Sequence, residues 1–284
     1  MKFATFMLQG REAVGVLSTD EQLIYPLAGI GDMIGLISSY GGESMDALPK
    51  EQPVPVEEVR LLAPIPHPPH DLICVGMNYL EHALESARFK GIEFKKTPNP
   101  LYFSKRVGCC TATGEEIPAY PHLTKQLDYE VELAVVIGKR CRDVTPQEAM
   151  DYVFGYTILN DVSSRDVQGS HGGQYYFSKS LEGFAPMGPW IVTADEIGPS
   201  PQLGVRSRVN GELRQNGNTK EFLYDIPFLI SQLSSGFVLE PGDIIATGTP
   251  SGVGMGFHPP KFLSPGDVVE CEIEGIGKLV NTVR

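Results

Sequence analysis

The stretch DYEVELAVVIGK at residues 128–139 decides the fold class, because it joins a charged entrance to a continuous apolar run. Such a run, rich in β-branched residues and ended by a glycine, is typical of a β-strand. Glu130 and Glu132 stand one residue apart at its entrance, so a strand carries both side chains on one face, where like charges repel. The sequence therefore predicts that something in the fold holds these two carboxylates together.

Strand-like segments recur from residue 71 to the end of the chain. Each is enriched in β-branched residues or alternates between apolar and polar residues, and each is bounded by glycine, proline or aspartate. The segments are DLICVGMN, VELAVVIGK, VFGYTILND, GPWIVTA, GVRSRVNGELR, GDIIATG and GDVVECEIEGIGKLVNTV. Asn210-Gly211 predicts a hairpin turn, and Pro-Gly-Asp at 241–243 and 265–267 opens a strand each time. Helical periodicity is clear only in TPQEAMDYVF and EFLYDIPFLISQLSS. We therefore expect a body that is mainly β with some helix.

The first part of the chain has a different character. Residues 1–60 alternate short apolar stretches with one helix-like segment, GDMIGLISSYG, which favours a small α+β domain over residues 1–65. Four prolines in LLAPIPHPPH, residues 61–70, disfavour a helix and predict a linker. The second predicted domain covers residues 71–284, and all the candidate chemistry lies in it.

Composition excludes several classes of partner. The chain has 284 residues, 42% of them hydrophobic, and 23 basic against 35 acidic residues give a net charge of -12, which argues against nucleic acid. No run of about 18 apolar residues predicts a membrane span, and the first residues lack an export signal. Five scattered cysteines without a CxxC pair predict reduced thiols and no zinc-thiolate site. We expect a soluble, cytoplasmic protein.

A third carboxylate follows the next strand. Asp161 comes directly after VFGYTIL, in NDVSSRD, so it can meet Glu130 and Glu132 at the ends of two neighbouring strands. A divalent cation would relieve the repulsion, and a set of oxygen ligands favours Mg²⁺, Mn²⁺ or Ca²⁺ over zinc. The alternative is that the three are solvated charges at strand ends.

A histidine and a glutamate follow the strand LICVGMN. In NYLEHALE, residues 78–85, a helical turn places His82 and Glu85 on one face, where the carboxylate can orient the imidazole and raise its basicity. This spacing predicts a general-base dyad. The alternative is an amphipathic surface helix with a chance contact.

A glycine-rich segment, TGTPSGVGMG, covers residues 247–256. It has neither the ending of a phosphate loop nor the spacing of a dinucleotide fingerprint, so neither ATP nor NAD is predicted. Its backbone N–H groups, Gly248 among them, can form a nest for a substrate carboxylate or an oxyanion, and the Thr249 hydroxyl adds a donor. The alternative is a wide loop between two strands.

Several motifs in a fixed order resemble the fumarylacetoacetate hydrolase family throughout residues 71–284. They are CVGMNYLEHALE, DYEVELAVVIGK, GYTILNDVSSRDVQ, SKSLEGFAPMGPWIV, VNGELRQNGNT and PGDIIATGTPSGVG. The resemblance implies a mixed β-sandwich roll, a homodimer, and a Mg²⁺ or Mn²⁺ site on Glu130, Glu132 and Asp161. It also implies that His82 and Glu85 are the catalytic dyad, Lys179 the active-site lysine and Thr249 the substrate-binding threonine.

Two segments bear on the substrate. Ser178-Lys179-Ser180-Leu181-Glu182 departs from the Gly-Lys-Ser-Phe-Asp-like pattern of many relatives, which leaves the substrate undefined. The segment LESARFKGIEFKKTPNP, residues 84–100, corresponds to a lid in similar proteins, and its alternative is an exposed connecting helix.

The reaction that fits these parts is cleavage of a carbon–carbon bond in a 2,4-dioxo acid, through an enolate stabilised by the metal, with His82 activating water. Lys179 would neutralise an oxyanion or a substrate carboxylate. An oxaloacetate-type decarboxylase, or an isomerase of an unsaturated oxo-diacid, would use the same residues. A non-catalytic binder of oxo-acids or Ca²⁺ is a further alternative. The His82–Glu85 pair argues against it, because a binder needs the carboxylates but no general base.

Overall fold

The computed structural model describes residues 1–42, 44 and 47–284. Its strands, in chain order, are β1 Lys2–Leu8, β2 Arg11–Leu17, β3 Leu23–Pro26, β4 Val54–Pro55, β5 Arg60–Leu61, β6 Leu72–Gly76, β7 Leu101–Lys105, β8 Glu116–Ile117, β9 Leu127–Asp128, β10 Val131–Ile137, β11 Val153–Asn160, β12 Ser163–Ser164, β13 Met187–Thr193, β14 Gly204–Val209, β15 Glu212–Asn218, β16 Ile244–Ala246, β17 Val268–Ile273 and β18 Gly277–Val283. The α-helices are α1 Met33–Ser39, α2 Leu80–Lys90, α3 Arg165–Ser170, α4 Tyr175–Lys179, α5 Ala194–Ile197 and α6 Ile226–Gly236.

The largest sheet takes its strands from both the N-terminal part of the chain and the body, up to Ala246. Its strand order over the described residues is β4-β3-β2-β1-β13-β11-β10-β16-β6-β7, and β5 pairs with β1. Strands β16 and β6 are parallel, while β10 pairs antiparallel with both β11 and β16. Every residue of β10 and of β11 is buried, as expected for central strands covered on both faces.

A second sheet packs against the first. Its order is β15-β14-β17-β18-β8, and the Asn210-Gly211 turn joins β14 to β15 as the sequence predicts. Side chains of both sheets share one apolar core, represented by Leu133, Val205 and Leu279. The expected fold class, mainly β with mixed sheets, is therefore confirmed.

The two predicted helices have different outcomes. The part IPFLISQLSS of the predicted segment lies in α6, which Asp225 caps by accepting a hydrogen bond from the Phe228 amide at 2.9 Å, while EFLYD precedes the helix. TPQEAMDYVF contains only a 3₁₀ turn at Ala149–Tyr152, after which β11 begins at Val153. The prediction of an α-helix there was wrong, because the last residues of the segment belong to β11, which pairs with β10. None of the described helices is long and apolar enough to cross a membrane.

The N-terminal strands belong to the same sheet as the body. Strand β1 pairs antiparallel with β13, with Lys2 opposite Val192. The proline-rich segment that was predicted as a linker packs tightly: Ala63 and Ile65 are buried, and the Pro64 carbonyl accepts a hydrogen bond from the Thr5 hydroxyl at 2.6 Å. The sheet therefore continues across the predicted domain boundary.

Candidate metal and catalytic site

Strands β10 and β11 bring three carboxylates together. Their antiparallel register places Val131 opposite Asn160, so Glu130, just before β10, lies beside Asp161, just after β11. The Asp161 amide donates to the Glu130 carbonyl at 2.8 Å, which fixes this end of the pair. Glu130, Glu132 and Asp161 are all buried, and one oxygen from each lies within 4.8 Å of the others. The fold therefore does bring the like-charged carboxylates together, as the sequence predicts.

Three buried cations surround these carboxylates. Lys179 donates to Glu130 at 2.8 Å and also to Asp161, while Lys105 donates to the other oxygen of Asp161 at 2.6 Å. Arg165, at the start of α3, pairs with Glu130 and also reaches Asp128 at 3.0 Å. Two of the three Lys179 protons thus point at carboxylates of the protein itself.

The two glutamates of β10 differ in electrostatic environment. Burial opposes ionisation of Glu130, but Lys179 and Arg165 outweigh it and hold the pKa of that carboxyl well below its usual value. For Glu132, burial and the neighbouring charges of Asp161 and Glu130 all raise the pKa, and Lys179 only partly offsets them. Among the described residues Glu132 takes part in no ion pair; it accepts one hydrogen bond, from the Gly248 amide at 2.8 Å.

This arrangement fits a divalent cation. The buried cluster has four carboxylates, those of Asp128, Glu130, Glu132 and Asp161, and three cations, those of Lys105, Arg165 and Lys179. With all four carboxyl groups ionised, one negative charge has no counterpart, and Glu132, inside the triad, is the one without an ion pair among the described residues. A hard cation bound by Glu130, Glu132 and Asp161 would supply the missing positive charge through its preferred oxygen ligands.

The histidine–glutamate pair stands on α2. His82 Nδ1 lies 3.2 Å from Glu85 Oε2, and His82 is 5% exposed at the wall of the cleft that contains Glu130 and Glu132. A neutral imidazole that donates from Nδ1 to Glu85 keeps a lone pair on Nε2 that can accept a proton. The structure therefore brings His82 of the dyad and two of the three carboxylates, Glu130 and Glu132, to the wall of one cleft.

The glycine-rich loop holds carboxylates of the protein itself. Its amides donate to three of them: Gly248 to Glu132, Gly252 to Glu85 at 3.0 Å, and Gly254 to Asp128 at 2.6 Å. At Gly256 a Cβ would lie 1.7 Å from the Glu85 carboxylate, so only glycine allows Glu85 to approach. The N–H groups expected to bind a substrate anion are thus used to position the acidic groups.

Thr249 and Gly248 have distinct positions. The Thr249 hydroxyl donates to the Val131 carbonyl at 2.8 Å and accepts from Gln215, and the residue lines the cleft. Its hydroxyl proton is therefore engaged within the protein. Gly248 is not part of the cleft lining, and its amide is bound to Glu132. Their predicted contacts with substrate stay predictions.

Sequence reasoning missed three members of the charge cluster. Asp128 and Arg165 lie in the quoted motifs. Their signal in the sequence was that a further charged residue stands within a few positions of a predicted metal ligand. Lys105 had no such signal, because LYFSK reads as an ordinary strand. Only the placement of β7 at the edge of the sheet brings the Lys105 ammonium to Asp161.

Two family models match the chain. One, described as fumarylacetoacetate (FAA) hydrolase C-terminal, covers residues 71–284, and the other, described as Rv2993c-like, N-terminal, covers residues 1–64. The chain belongs to the fumarylacetoacetate hydrolase family. The resemblance drawn from the motifs is therefore confirmed.

Relatives in the fumarylacetoacetate hydrolase family carry several activities in their names. Oxaloacetate tautomerase YisK of Bacillus subtilis is 41% identical over 306 residues, which cover the whole of both chains. A structure of fumarylacetoacetate hydrolase from Exiguobacterium antarcticum, 40% identical, superposes with a TM-score of 0.86 over 100% of this chain and 99% of that one. Maleylpyruvate hydrolase from Sphingobium sp. SYK-6, 30% identical with a TM-score of 0.79 over 100% and 98% of the chains, was solved with manganese(II) and pyruvate.

Proposed function

We propose that the protein is a divalent-metal-dependent enzyme that moves a proton at C3 of a small 2-oxo acid with a second carbonyl at C4, and that it interconverts the enol and keto forms of oxaloacetate. The observation that carries this proposal is that His82, with Glu85 beside it, and two carboxylates of the buried triad, Glu130 and Glu132, line one cleft. The full-length similarity to a relative named oxaloacetate tautomerase supports the choice of substrate.

Glu130, Glu132 and Asp161 would hold Mg²⁺ or Mn²⁺, which when bound supplies Lewis-acid stabilisation of negative charge on a substrate oxygen. His82 takes a proton from the enol hydroxyl and returns one to C3, so that the keto form results. Glu85 keeps the imidazole in the orientation that leaves Nε2 free for this transfer. Lys105, Lys179 and Arg165 hold Asp161 and Glu130 in place through buried ion pairs.

The test follows the enol absorbance of freshly dissolved oxaloacetate. With Mg²⁺ or Mn²⁺, the purified protein should accelerate the decay to equilibrium in proportion to enzyme concentration, and chelator should remove the acceleration. A decay rate that is independent of enzyme and metal would refute the proposal and would favour a non-catalytic binder.

A second candidate is hydrolytic cleavage of an acylpyruvate. The observation that favours it is the structural similarity to a maleylpyruvate hydrolase, together with a histidine that can deprotonate water in the same cleft. Acetylpyruvate would then yield pyruvate, which lactate dehydrogenase detects, whereas tautomerisation yields none. Release of carbon dioxide from oxaloacetate would instead indicate the decarboxylase alternative.

Two further predictions concern the whole protein. We propose that it forms a homodimer, which light scattering of the purified chain tests directly. We also propose that it acts in the cytoplasm on a small-molecule substrate.

A further inference from the structure

Tyr129 stands directly before Glu130 at the entrance of β10, and it belongs to neither the triad nor the dyad. Its ring is fully buried in the apolar core. Its hydroxyl lies 3.0 Å from the Gly252 carbonyl in the glycine-rich loop, and because a carbonyl only accepts, the hydroxyl is the donor. Tyr129 therefore joins the strand of the metal ligands to a loop that lies 123 positions further along the chain.

The amide of Gly252 meets the histidine–glutamate pair. It donates to Glu85 Oε1 at 3.0 Å and to Glu85 Oε2 at 3.3 Å. Glu85 Oε2 in turn lies 3.2 Å from His82 Nδ1. Within the part of the chain that the structure describes, the Gly252 amide is the only hydrogen-bond donor to Glu85 besides His82. The orientation of the Glu85 carboxylate therefore depends on where the Gly252 amide points.

The backbone of Gly252 needs an external contact to stay in this orientation. Its φ is +101°, and a Cβ would lie 2.0 Å from the Arg214 carbonyl, so only glycine fits and no side chain can brace the position. Glycine changes its backbone angles more easily than any other residue, and such a change would turn the N–H away from Glu85. The hydrogen bond from Tyr129 fixes the carbonyl on one side of Gly252 while the amide on the other side holds Glu85.

A second buried tyrosine provides a comparison. Tyr156, on β11, is fully buried in the same apolar core as Tyr129. Its hydroxyl has no hydrogen-bond partner among the described residues. The two tyrosines thus contribute the same ring to the core and differ in what the hydroxyl does, so the packing of the ring does not by itself account for the contact between Tyr129 and Gly252.

We propose that Tyr129 positions the histidine–glutamate pair for proton transfer through the backbone of Gly252. The Tyr129 hydroxyl fixes Gly252, the Gly252 amide holds Glu85, and Glu85 orients the imidazole of His82. Tyr129 does not line the reaction cleft, the cleft that Glu130 and His82 line, so it acts through the loop and not by contact with a substrate. The inference rests on the proposed function for the role of His82 as the proton acceptor.

Turnover distinguishes positioning from a purely structural role. Tyr129→Phe keeps the ring and removes the hydroxyl, so kcat in the enol assay should fall roughly three- to tenfold, the range that one neutral hydrogen bond is worth, while KM and Mn²⁺ affinity stay within about twofold. Tyr156→Phe is the matched control and should leave all three unchanged. An undiminished kcat in Tyr129→Phe, or a loss of Mn²⁺ affinity in parallel with kcat, would overturn the proposal.

A double-mutant cycle tests the route of the effect. In a Glu85→Ala background the connection from Tyr129 to His82 is already broken, so adding Tyr129→Phe should lower kcat by less than about twofold. A residue that only stabilises the fold would lower kcat by the same factor in both backgrounds. That result would show that Tyr129 does not act through Glu85 and would overturn the proposal.

A measurement without substrate separates this proposal from the proposed function. Hydrogen exchange of the Gly252 amide, followed by NMR, should be at least about tenfold faster in Tyr129→Phe than in Tyr156→Phe, because the loop opens more easily without its anchor. Equal exchange in the two variants would overturn the proposal even if the protein turns over oxaloacetate. If exchange is faster but oxaloacetate is not turned over, the proposed reaction fails and the link from Tyr129 to Glu85 stands.

Discussion

The two walls of the reaction cleft are built in different ways. One wall consists of strand ends, where Asp161 and Lys105 are fully buried and every carboxylate is held by cations or backbone amides. The other consists of α2, where Phe89 is 36% exposed and Lys90 is also exposed. The contrast teaches that a ligand in this cleft would meet a fixed, charged surface on one side and a more open surface on the other.

The largest effect is expected on the strand wall. Glu132→Gln removes the carboxylate that carries the unbalanced negative charge, so divalent metal binding should be lost and turnover should fall roughly 10⁴-fold, since metal catalysis supplies several kcal/mol. Calorimetry with Mn²⁺ and the enol assay measure the two losses. Glu116→Gln, an exposed carboxylate, is the control, and equal metal affinity in the two variants would contradict the assignment of Glu132.

The helix wall should lose catalysis without losing metal. His82→Ala removes the proton acceptor, and turnover should fall about 10³-fold, within the usual range for general acid–base groups. Mn²⁺ affinity should stay within a few-fold of that of the unmodified protein, because His82 belongs to neither the triad nor its ion pairs. Undiminished turnover would show that His82 takes no part in the mechanism. If the variant still decarboxylated oxaloacetate but no longer accelerated tautomerisation, the two reactions would have different requirements for His82.

A smaller effect is expected from the cation that the sequence did not reveal. Lys105→Met leaves Asp161 with Lys179 alone, so Mn²⁺ should bind about 10–100-fold more weakly, as for other groups that orient metal ligands. The melting temperature of the metal-free protein should also fall, since a buried carboxylate loses a partner. Lys95→Met, at an exposed pair, is the control and should change stability by less than about 0.5 kcal/mol. Equal behaviour of the two variants would show that Lys105 has no positioning role.

The smallest effect concerns stability without metal. The pKa of Glu132 is raised in the folded protein by burial, Asp161 and Glu130, so its contribution to stability is present at low pH and is lost as the pH rises through that pKa. After chelation, Glu132→Gln should therefore melt higher than the unmodified protein at neutral pH, and the gap should narrow towards pH 4. Melting curves across this range check the sign; a variant that melts lower at pH 7 would mean that Glu132 is not repelled.

Local pattern predicted much of the fold and part of the cleft. The apolar runs of β10 and β11 lie where periodicity put them, because strand patterning reflects burial of nearby residues. The three carboxylates lie together because they stand at neighbouring ends of the adjacent strands β10 and β11. TPQEAMDYVF failed as a helix because its local spacing fits a helix, whereas the pairing of β11 with β10, distant in the chain, decides its last residues.

By itself, the sequence determined the mainly β class and the family, and it placed Glu130 beside Glu132 and His82 beside Glu85, because residues of one strand or one helical turn lie close together. Only the tertiary structure decided that Lys105 neutralises Asp161, that the glycine-rich loop binds the protein's own carboxylates, and that the Tyr129 hydroxyl reaches the Gly252 carbonyl. The physical reason is that these features join residues distant in the chain, and only the order of strands and the packing of α2 set the distances between them.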